Sequence, residues 1–421
     1  MPVDLKVKNR TAVLAAFRDG REYTASEVAN VTGISRQTVM KAIQFFIDKG
    51  LLGNTGKGAS TEAGGKKPDL YSLVVSSLLL SITMWPDNLI LTLSDMQGKR
   101  IGQIRVNTAI ADTPDEAFNR LRQYSLRLLE EHGYTISDLY GVSLSTSGII
   151  DYKKGLLRFN SQLPGWGTNV PVQQYLREIF DENVVIVVEN AGKMTGRAAL
   201  FGEQYADKRI VVIFSTWGLS ACFIEKSHIL SGLNSLIGEI GHMTIDPHDE
   251  DVCGCGCRGC LERLVSIEHI RREIAANPKQ HAASILSGID TNAVTLPDLF
   301  HASEQEDGFA CVIVARIAEY FSIALHNITL SFDPDLVVFQ GIYSGAGSFF
   351  EKKVKEYLAA FQYSPSDGPF EMWFDQRSLF DLDVIGSQNY LQDLFFQDSS
   401  LYQHRAKQVK SSTKPEAAHS T

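Results

Sequence analysis

The chain has 421 residues, 44% of them hydrophobic and 21% charged. That balance excludes a disordered or collagen-like polymer and leaves room for roughly two to four folding units. Its formal charge is −9, yet residues 1–74 carry 11 Lys/Arg against 7 Asp/Glu, while the other 347 residues carry 29 against 42, so only the front is suited to a polyanion.

The start, MPVDLKVKNRTAVLAAFRDG, is amphipathic and lacks the apolar core and small-residue cleavage site of a signal peptide. The longest apolar stretches, such as Ser77–Ile82, are too short to span a bilayer. The expected compartment is the cytoplasm, with no membrane partner. Within the front, one amphipathic helix carries Val13, Leu14 and Phe17. Thr24 and Glu27 form a T-x-x-E capping pattern that opens a second helix, and Gly33 breaks it. Ser35 caps a third, with apolar residues at Val39, Ile43, Phe46 and Ile47, ended at Gly50. Three short helices with a glycine in the tight turn are the arrangement that lays a recognition helix in the major groove.

Arg36, Gln37, Lys41 and Gln44 lie off the apolar face of that helix. Arg bonds guanine and Gln bonds adenine bidentately, so Arg36 and Gln37 are candidate base readers and Lys41 a phosphate contact. Ser35, Thr38 and Gln44 complete the candidate DNA face. The segment after Leu51–Leu52 is Gly-, Ser- and Lys-rich between β-prone ends, which predicts a hairpin wing with a basic tip at Lys57, Lys66 and Lys67. A small helical interaction module shares the helix pattern. The capping, the glycine turn, the wing and the charge favour double-stranded operator DNA.

From Ser77 the pattern changes. Three short strands with turn signals at Pro86–Asn88 and Gln97–Lys99 precede a helix over Asp115–His132. Leu139–Ser145, Val184–Val188, Arg209–Ser215 and Leu336–Phe339 read as buried strands, and 307–331 as a long helix. Strands alternating with helices predict an α/β body with mixed sheets. No fixed-period repeat is visible. The polar residues from 399 to 421 read as a disordered tail.

Four of the six cysteines, Cys253, Cys255, Cys257 and Cys260, fall within eight residues. Metal sites cluster cysteines in this way, and a structural zinc closes with four ligands. Those thiols and the histidines His242 and His248 compete for four places.

Gly238–Met243 (GEIGHM) followed by Cys253–Glu262 (CGCGCRGCLE) resembles the ROK family of bacterial repressors and sugar kinases, whose hallmark is GE-x-GH and then C-x-C-G-x-x-G-C-x-E. Looser likenesses run along the rest of the chain: SLSTSGIIDYKKGLLRF resembles a family G-x-x-D turn, Gln162–Trp166 N-L-P-G-W, Val187–Gly192 E-N-D-A, and Phe332–Gly341 N-P-E-x-I-V-x-G-G. The resemblance implies a winged helix-turn-helix over 1–74, followed by a two-lobed actin-like or ribonuclease H-like ATPase fold. The small lobe would cover 75–190 and the large lobe 191–398, with the last helix able to return to the small lobe. It implies one structural zinc per chain on His242, Cys253, Cys255 and Cys260, with Cys257 at a variable position and the remaining competitor. It also implies sugar contacts at Asn190, Glu239, His242 and Glu262. Trp166 is open to either sugar stacking or core packing.

The departures from the family separate repressor from kinase. The first phosphate loop, D-x-G-x-T, aligns with Ser81–Asn88, which has no glycine and carries Met84–Trp85–Pro86. The second, G-T-G-x-G-x-G, aligns with Ser215–Ala221, where only Gly218 survives and Trp217 is bulky. Phosphates need glycine-lined amides. Ala191 stands where the family has its catalytic Asp, and a methyl group accepts no proton. The expectation is a non-enzyme that needs no ATP. It is a sugar-responsive repressor acting as a homodimer, because such proteins read half-sites about 34–36 Å apart.

Overall fold

The computed structural model describes residues 2–58, 67–107, 113–200, 205–216, 218–361 and 370–402. They fall into two units, one drawn from Met1–Ser76 with Gln392–Thr421 and the other from Ser77–Leu391.

In the first unit, α1 (Pro2–Ala15), β1 (Tyr23–Thr24), α2 (Ala25–Thr32) and α3 (Arg36–Asp48) precede β2 (Leu52–Lys57) and β3 (Asp69–Leu73). The predicted capping box is formed: the Glu27 amide donates to Thr24 Oγ1 at 3.2 Å and the Thr24 amide to the Glu27 carboxylate at 2.7 Å. Gly33 ends α2 at φ 67°, a left-handed conformation that suits a residue without Cβ. Val13, Leu14, Phe17, Val28, Val39, Ile43 and Phe46 are buried together, and the antiparallel sheet β1-β3-β2 supplies the wing. Ile47, expected on the apolar face, is only half-buried. Phe45 is buried instead, with the Arg10 guanidinium 3.3 Å above its ring.

The far end of the chain completes this unit. Arg10 Nη1 donates to the Tyr402 carbonyl at 2.7 Å, and Lys49 Nζ to the carbonyls of Ser400 and Leu401 at 2.7 and 2.9 Å. Arg18 pairs with Asp393 at 2.6 Å. Tyr402 is buried edge-on to Phe46. The tail expected from residue 399 therefore begins with a 3-10 turn, Ser399–Tyr402; residues 403–421 lie outside the described residues.

The second unit has two lobes with one topology. In the first lobe, β4 (Leu78–Trp85), β5 (Asn88–Asp95) and β6 (Arg100–Val106) form an antiparallel meander. After α4 (Pro114–Glu131), β7 (Leu139–Thr146) adds parallel to β4. The hairpin β8 (Ile149–Asp151) and β9 (Leu156–Phe159) and the helix α5 (Val172–Ile179) follow. Then β10 (Val185–Asn190) adds parallel to β7 and leads into α6 (Ala191–Arg197). In the second lobe, β11 (Arg209–Ser215), β12 (Leu219–Glu225) and β13 (His228–Ile229) form the matching meander. The helices α7 (Leu261–Leu264), α8 (Ile267–Ala276), α9 (Pro278–Ala282), α10 (Leu296–Glu304) and α11 (Gly308–Phe332) come next. Then β14 (Leu336–Gly341) adds parallel to β11, α12 (Gly347–Ala359) crosses over, and β15 (Glu371–Asp375) adds parallel to β14. The sheet orders, β10-β7-β4-β5-β6 and β13-β12-β11-β14-β15, describe the same path read from opposite edges. This is a repeat of topology that carries no sequence period.

β4 is buried at every position, as a strand covered on both faces must be. α11 is long and apolar enough to cross a membrane, but Ile313, Val314, Ile317, Phe321, Leu325 and Ile328 lie in the core of the second lobe, so it is a core helix. The last helix, α13 (Leu379–Gln397), buries Asp383 completely. Its carboxylate accepts from Ser145 Oγ at 2.5 Å and from Thr83 Oγ1, which ties the helix to β7 and β4. Residues 392–397 of the same helix belong to the first unit.

Candidate metal centre and polar cavity

The chain turns at Ile240–His242, runs through the cysteine loop and enters α7 directly after Cys260. Gly259 sits at φ 67°, where a Cβ would lie 1.7 Å from the Asp246 carbonyl oxygen, so the loop closes only with glycine there. The ligand atoms of His242, Cys253, Cys255 and Cys260 all lie within 4.8 Å of one another. Cys253 Sγ is 3.7 Å from His242 Nδ1, and Cys255 Sγ is 3.6 Å from Cys260 Sγ. A tetrahedron with metal–sulfur bonds of about 2.3 Å has edges of roughly 3.8 Å. The four residues therefore suit zinc in both donor type and spacing. Burial pushes the Cys253 and Cys260 thiols up, so an ion must displace protons to bind there. Cys257 is exposed and outside the cluster, and His248 is outside it too. The fold thus selects four of the six candidate ligands.

One wall of a cavity of ≈ 260 Å³ is formed by this loop. All four predicted sugar-contact residues, Asn190, Glu239, His242 and Glu262, line it. Two of them are already engaged. Asn190 caps α6, its Oδ1 accepting from the Gly192 and Lys193 amides at 2.9 and 3.4 Å, while its Nδ2 donates to the Gly148 carbonyl at 2.8 Å. Glu262 Oε2 accepts from the Leu219 amide at 2.7 Å. Burial pushes the Glu239 carboxyl above its ordinary range, against the opposing pull of His242 and Lys193.

Further polar residues line the cavity and were not among the predicted contacts: Asn160, Gln162, and the hydroxyl residues Ser147, Ser161, Thr216 and Ser220. Asn160 donates to the Ser147 carbonyl and hydroxyl at 3.1 and 2.8 Å, and its Oδ1 accepts from the Gln162 amide at 2.9 Å. Gln162 Oε1 is buried without a partner. The likeness of Gln162–Trp166 to N-L-P-G-W was the signal that marked this corner. Trp166 resolves as core: it is buried beside Phe118 and does not line the cavity.

One corner beside the cavity is apolar. Trp85, Ala191 and Phe214 pack into one buried cluster with Leu379 and Phe380 against it. The Trp85 ring meets Phe214 edge-on at 5.9 Å and stacks on Phe380 at 4.8 Å. Trp217 lies outside the described residues.

On α3, Arg36, Gln37 and Lys41 are exposed. Ser35 and Thr38 hydroxyls bond each other at 2.9 Å, and Gln44 Nε2 donates to Asp48 at 2.8 Å. In the wing, Lys57 pairs with Asp69 at 2.5 Å. Lys67 is exposed, and Lys66 lies outside the described residues.

The duplicated mixed sheets of the body, with a Cys/His loop beside the cavity, are the two lobes of the ROK/actin-like fold, preceded by the three-helix unit with its small sheet. The ROK family pattern matches residues 81–371, and the chain belongs to the ROK family. It is 29% identical over 266 residues to a glucokinase of Halalkalibacterium halodurans, covering 62% of this chain and 76% of the relative. It is 24% identical over 357 residues to a xylose repressor of Caldicellulosiruptor bescii, covering 84% of this chain and 88% of the relative. Among solved structures, a ROK family transcriptional regulator, homologous to the Escherichia coli Mlc protein, superposes with a TM-score of 0.75. That match has 18% identity and covers 95% of this chain and all of the other. A Streptomyces griseus glucokinase bound to glucose and AMPPNP superposes at 0.59 with 17% identity, over 75% of this chain and 99% of that one. The regulators cover 84% and 95% of this chain, the kinases 62% and 75%.

Proposed function

We propose that this protein is a sugar-responsive transcriptional repressor that has lost phosphoryl transfer. The observation that carries this reading is the buried Trp85–Ala191–Phe214 cluster, standing where the family's phosphate loops and catalytic Asp would be, in a chain that also carries a winged helix. A phosphoryl group needs amide or cationic donors, and aromatic rings offer none. Arg36 and Gln37 read bases, Lys41, Lys57, Lys66 and Lys67 meet phosphates, and Ser35, Thr38 and Gln44 order the helix start and its outer face. One zinc on His242, Cys253, Cys255 and Cys260 holds the cavity wall rigid. An effector bound among Glu239, Glu262, Gln162 and Asn190 shifts operator affinity by its differential affinity for the two states. A dimer in the cytoplasm matches paired half-sites.

The glucokinase relatives support a second reading, a sugar kinase with an added DNA-binding head. Sugar-dependent ADP release from the full-length, metal-replete chain separates the two. No turnover is expected, and steady turnover would establish the kinase. Binding to upstream DNA should weaken with salt, and Arg36→Ala should cost about 1–3 kcal/mol at a specific base. Binding indifferent to both would remove DNA reading from α3.

A further inference from the structure

Resting on the assignment of zinc to His242, Cys253, Cys255 and Cys260, we infer that Cys255 and Cys257 form a peroxide-sensitive thiol pair whose disulfide takes Cys255 out of the ligand set. Of the four thiols in this loop, Cys257 is the one the ligand cluster does not use, so its sulfur stays available for chemistry. The cluster is open on one side. Cys253 and Cys260 are 4% and 0% exposed, while Cys255 and Cys257 both face solvent. Gly254 and Gly256 flank Cys255, and a Cβ built on either meets nothing within 4 Å. A small oxidant therefore reaches this edge of the site and not the buried one. Exposed thiols paired with a second cysteine are the ones that sense oxidants.

The backbone sets the pair close. The Cys253 amide donates to the Cys257 carbonyl at 2.8 Å and the Gly256 amide to the Cys253 carbonyl at 2.8 Å, with Gly256 at φ 87°. This tight turn holds the Cys257 thiol in hydrogen-bond reach of the Cys255 sulfur. Two residues apart, their Cα atoms are separated by no more than about 7 Å, the limit for a disulfide. The chemistry takes two steps. The Cys257 sulfur attacks one oxygen of hydrogen peroxide, the O–O bond breaks, and the products are a sulfenic acid and water. The Cys255 thiolate then attacks that sulfur, the S–O bond breaks, and the departing hydroxide takes up a proton to give a second water. Two sulfurs have then lost two electrons to one peroxide. Cys255 is no longer a thiolate donor, three of the four ligands remain, and a structural zinc site closes only with four. Because Cys255 and His242 also line the cavity, that wall loosens with the site. An exposed disulfide across so short a loop is labile, as a reversible switch in a reducing compartment requires.

The test treats the full-length, zinc-loaded protein with hydrogen peroxide and follows two readouts: zinc captured by a chromogenic chelator, and the disulfide mapped by mass spectrometry of the loop peptide. Zinc release is expected to track a Cys255–Cys257 linkage, and dithiothreitol with added zinc to restore the parent. Cys257→Ser, which keeps all four ligands, is expected to release zinc at least about tenfold more slowly. Without oxidant, iodoacetamide is expected to alkylate Cys257 before the other loop thiols while zinc stays bound. Equal release rates in parent and variant overturn the inference, as does a linkage mapped to Cys253 or Cys260, or an oxidised Cys257 with zinc still fully bound; each leaves the zinc assignment standing. A parent that takes up no zinc removes the assignment and the inference together.

Discussion

On the proposed reading, placing a carboxylate at position 191 tests whether phosphoryl transfer is blocked at one residue or along a whole wall. Ala191 is 3% exposed and packs with Trp85 and Phe214. In Ala191→Asp the new group meets the Trp85 and Phe214 rings on one side and, on the other, the cavity that Ala191 also lines. Ionised, it forfeits hydration worth several kcal/mol. Staying neutral at pH 7, against a reference pKa near 3.9, costs about 4 kcal/mol, and this caps the electrostatic penalty. Crowding a packed cluster adds about 1–3 kcal/mol. The expected loss at pH 7 is therefore at most about 5–7 kcal/mol. It should shrink toward the steric part below pH 4, where the carboxyl is neutral in both folded and unfolded chains. Urea unfolding followed by tryptophan fluorescence reads it, because Trp85 sits in the cluster. A variant as stable as the parent at pH 7 would refute the dry corner. A variant that released ADP in response to sugar would refute the claim that the phosphate loops are lost as well.

The metal centre makes a paired prediction: elemental analysis finds about one zinc per chain in the parent and in Cys257→Ser, and none in Cys255→Ser, which also melts earlier. Loss of zinc in Cys257→Ser would put the wrong thiol in the site. For Asp383, burial pushes the carboxyl up to about 7, against the hydroxyls of Ser145 and Thr83. The folded chain then holds this proton more tightly than the unfolded one, so stability declines as pH rises from about 4 to about 7 by on the order of a few kcal/mol. Asp383→Asn is expected to flatten that slope in urea midpoints, and identical slopes in parent and variant would show that Asp383 does not carry it. Tyr402→Ala, which strips a buried ring from Phe46, is expected to cost the first unit about 3 kcal/mol. Faster amide exchange along α3 is the readout, and unchanged exchange there would mean the chain end merely rests on the unit.

Features set by near neighbours could be read from the sequence. The capping box needs Thr24 and Glu27 three residues apart, and the metal loop needs four cysteines in eight residues with glycine between them. The central strands β4, β5, β7, β10, β11 and β14 were legible as β-rich runs because burial on both faces demands continuous apolar sequence, whereas β12, β13 and β15 were not read as strands. The duplicated topology was not legible, since two sheets can follow one path with unrelated residues. Nor was the docking of Tyr402 onto α1 and α3 and of Asp393 onto Arg18 beyond α1, which joins residues 392 positions apart in the case of Arg10 and Tyr402. A polar stretch at a chain end reads as tail until its partners are known.

The sequence alone determined the kinds of chemistry available: thiols and imidazole for a metal, carboxylates and amides for hydroxyls, arginine and glutamine on a helix face, and a methyl group at position 191, where the family resemblance implies an aspartate. Tertiary structure decided which of those groups remain free. It excluded Cys257 from the ligand cluster, buried Trp166 against Phe118, committed Asn190 to capping α6, and left Gln162 Oε1 unsatisfied at the cavity. The reason is physical. A side chain carries its own donors and acceptors, but their occupancy depends on partners that only the folded chain brings within hydrogen-bond reach.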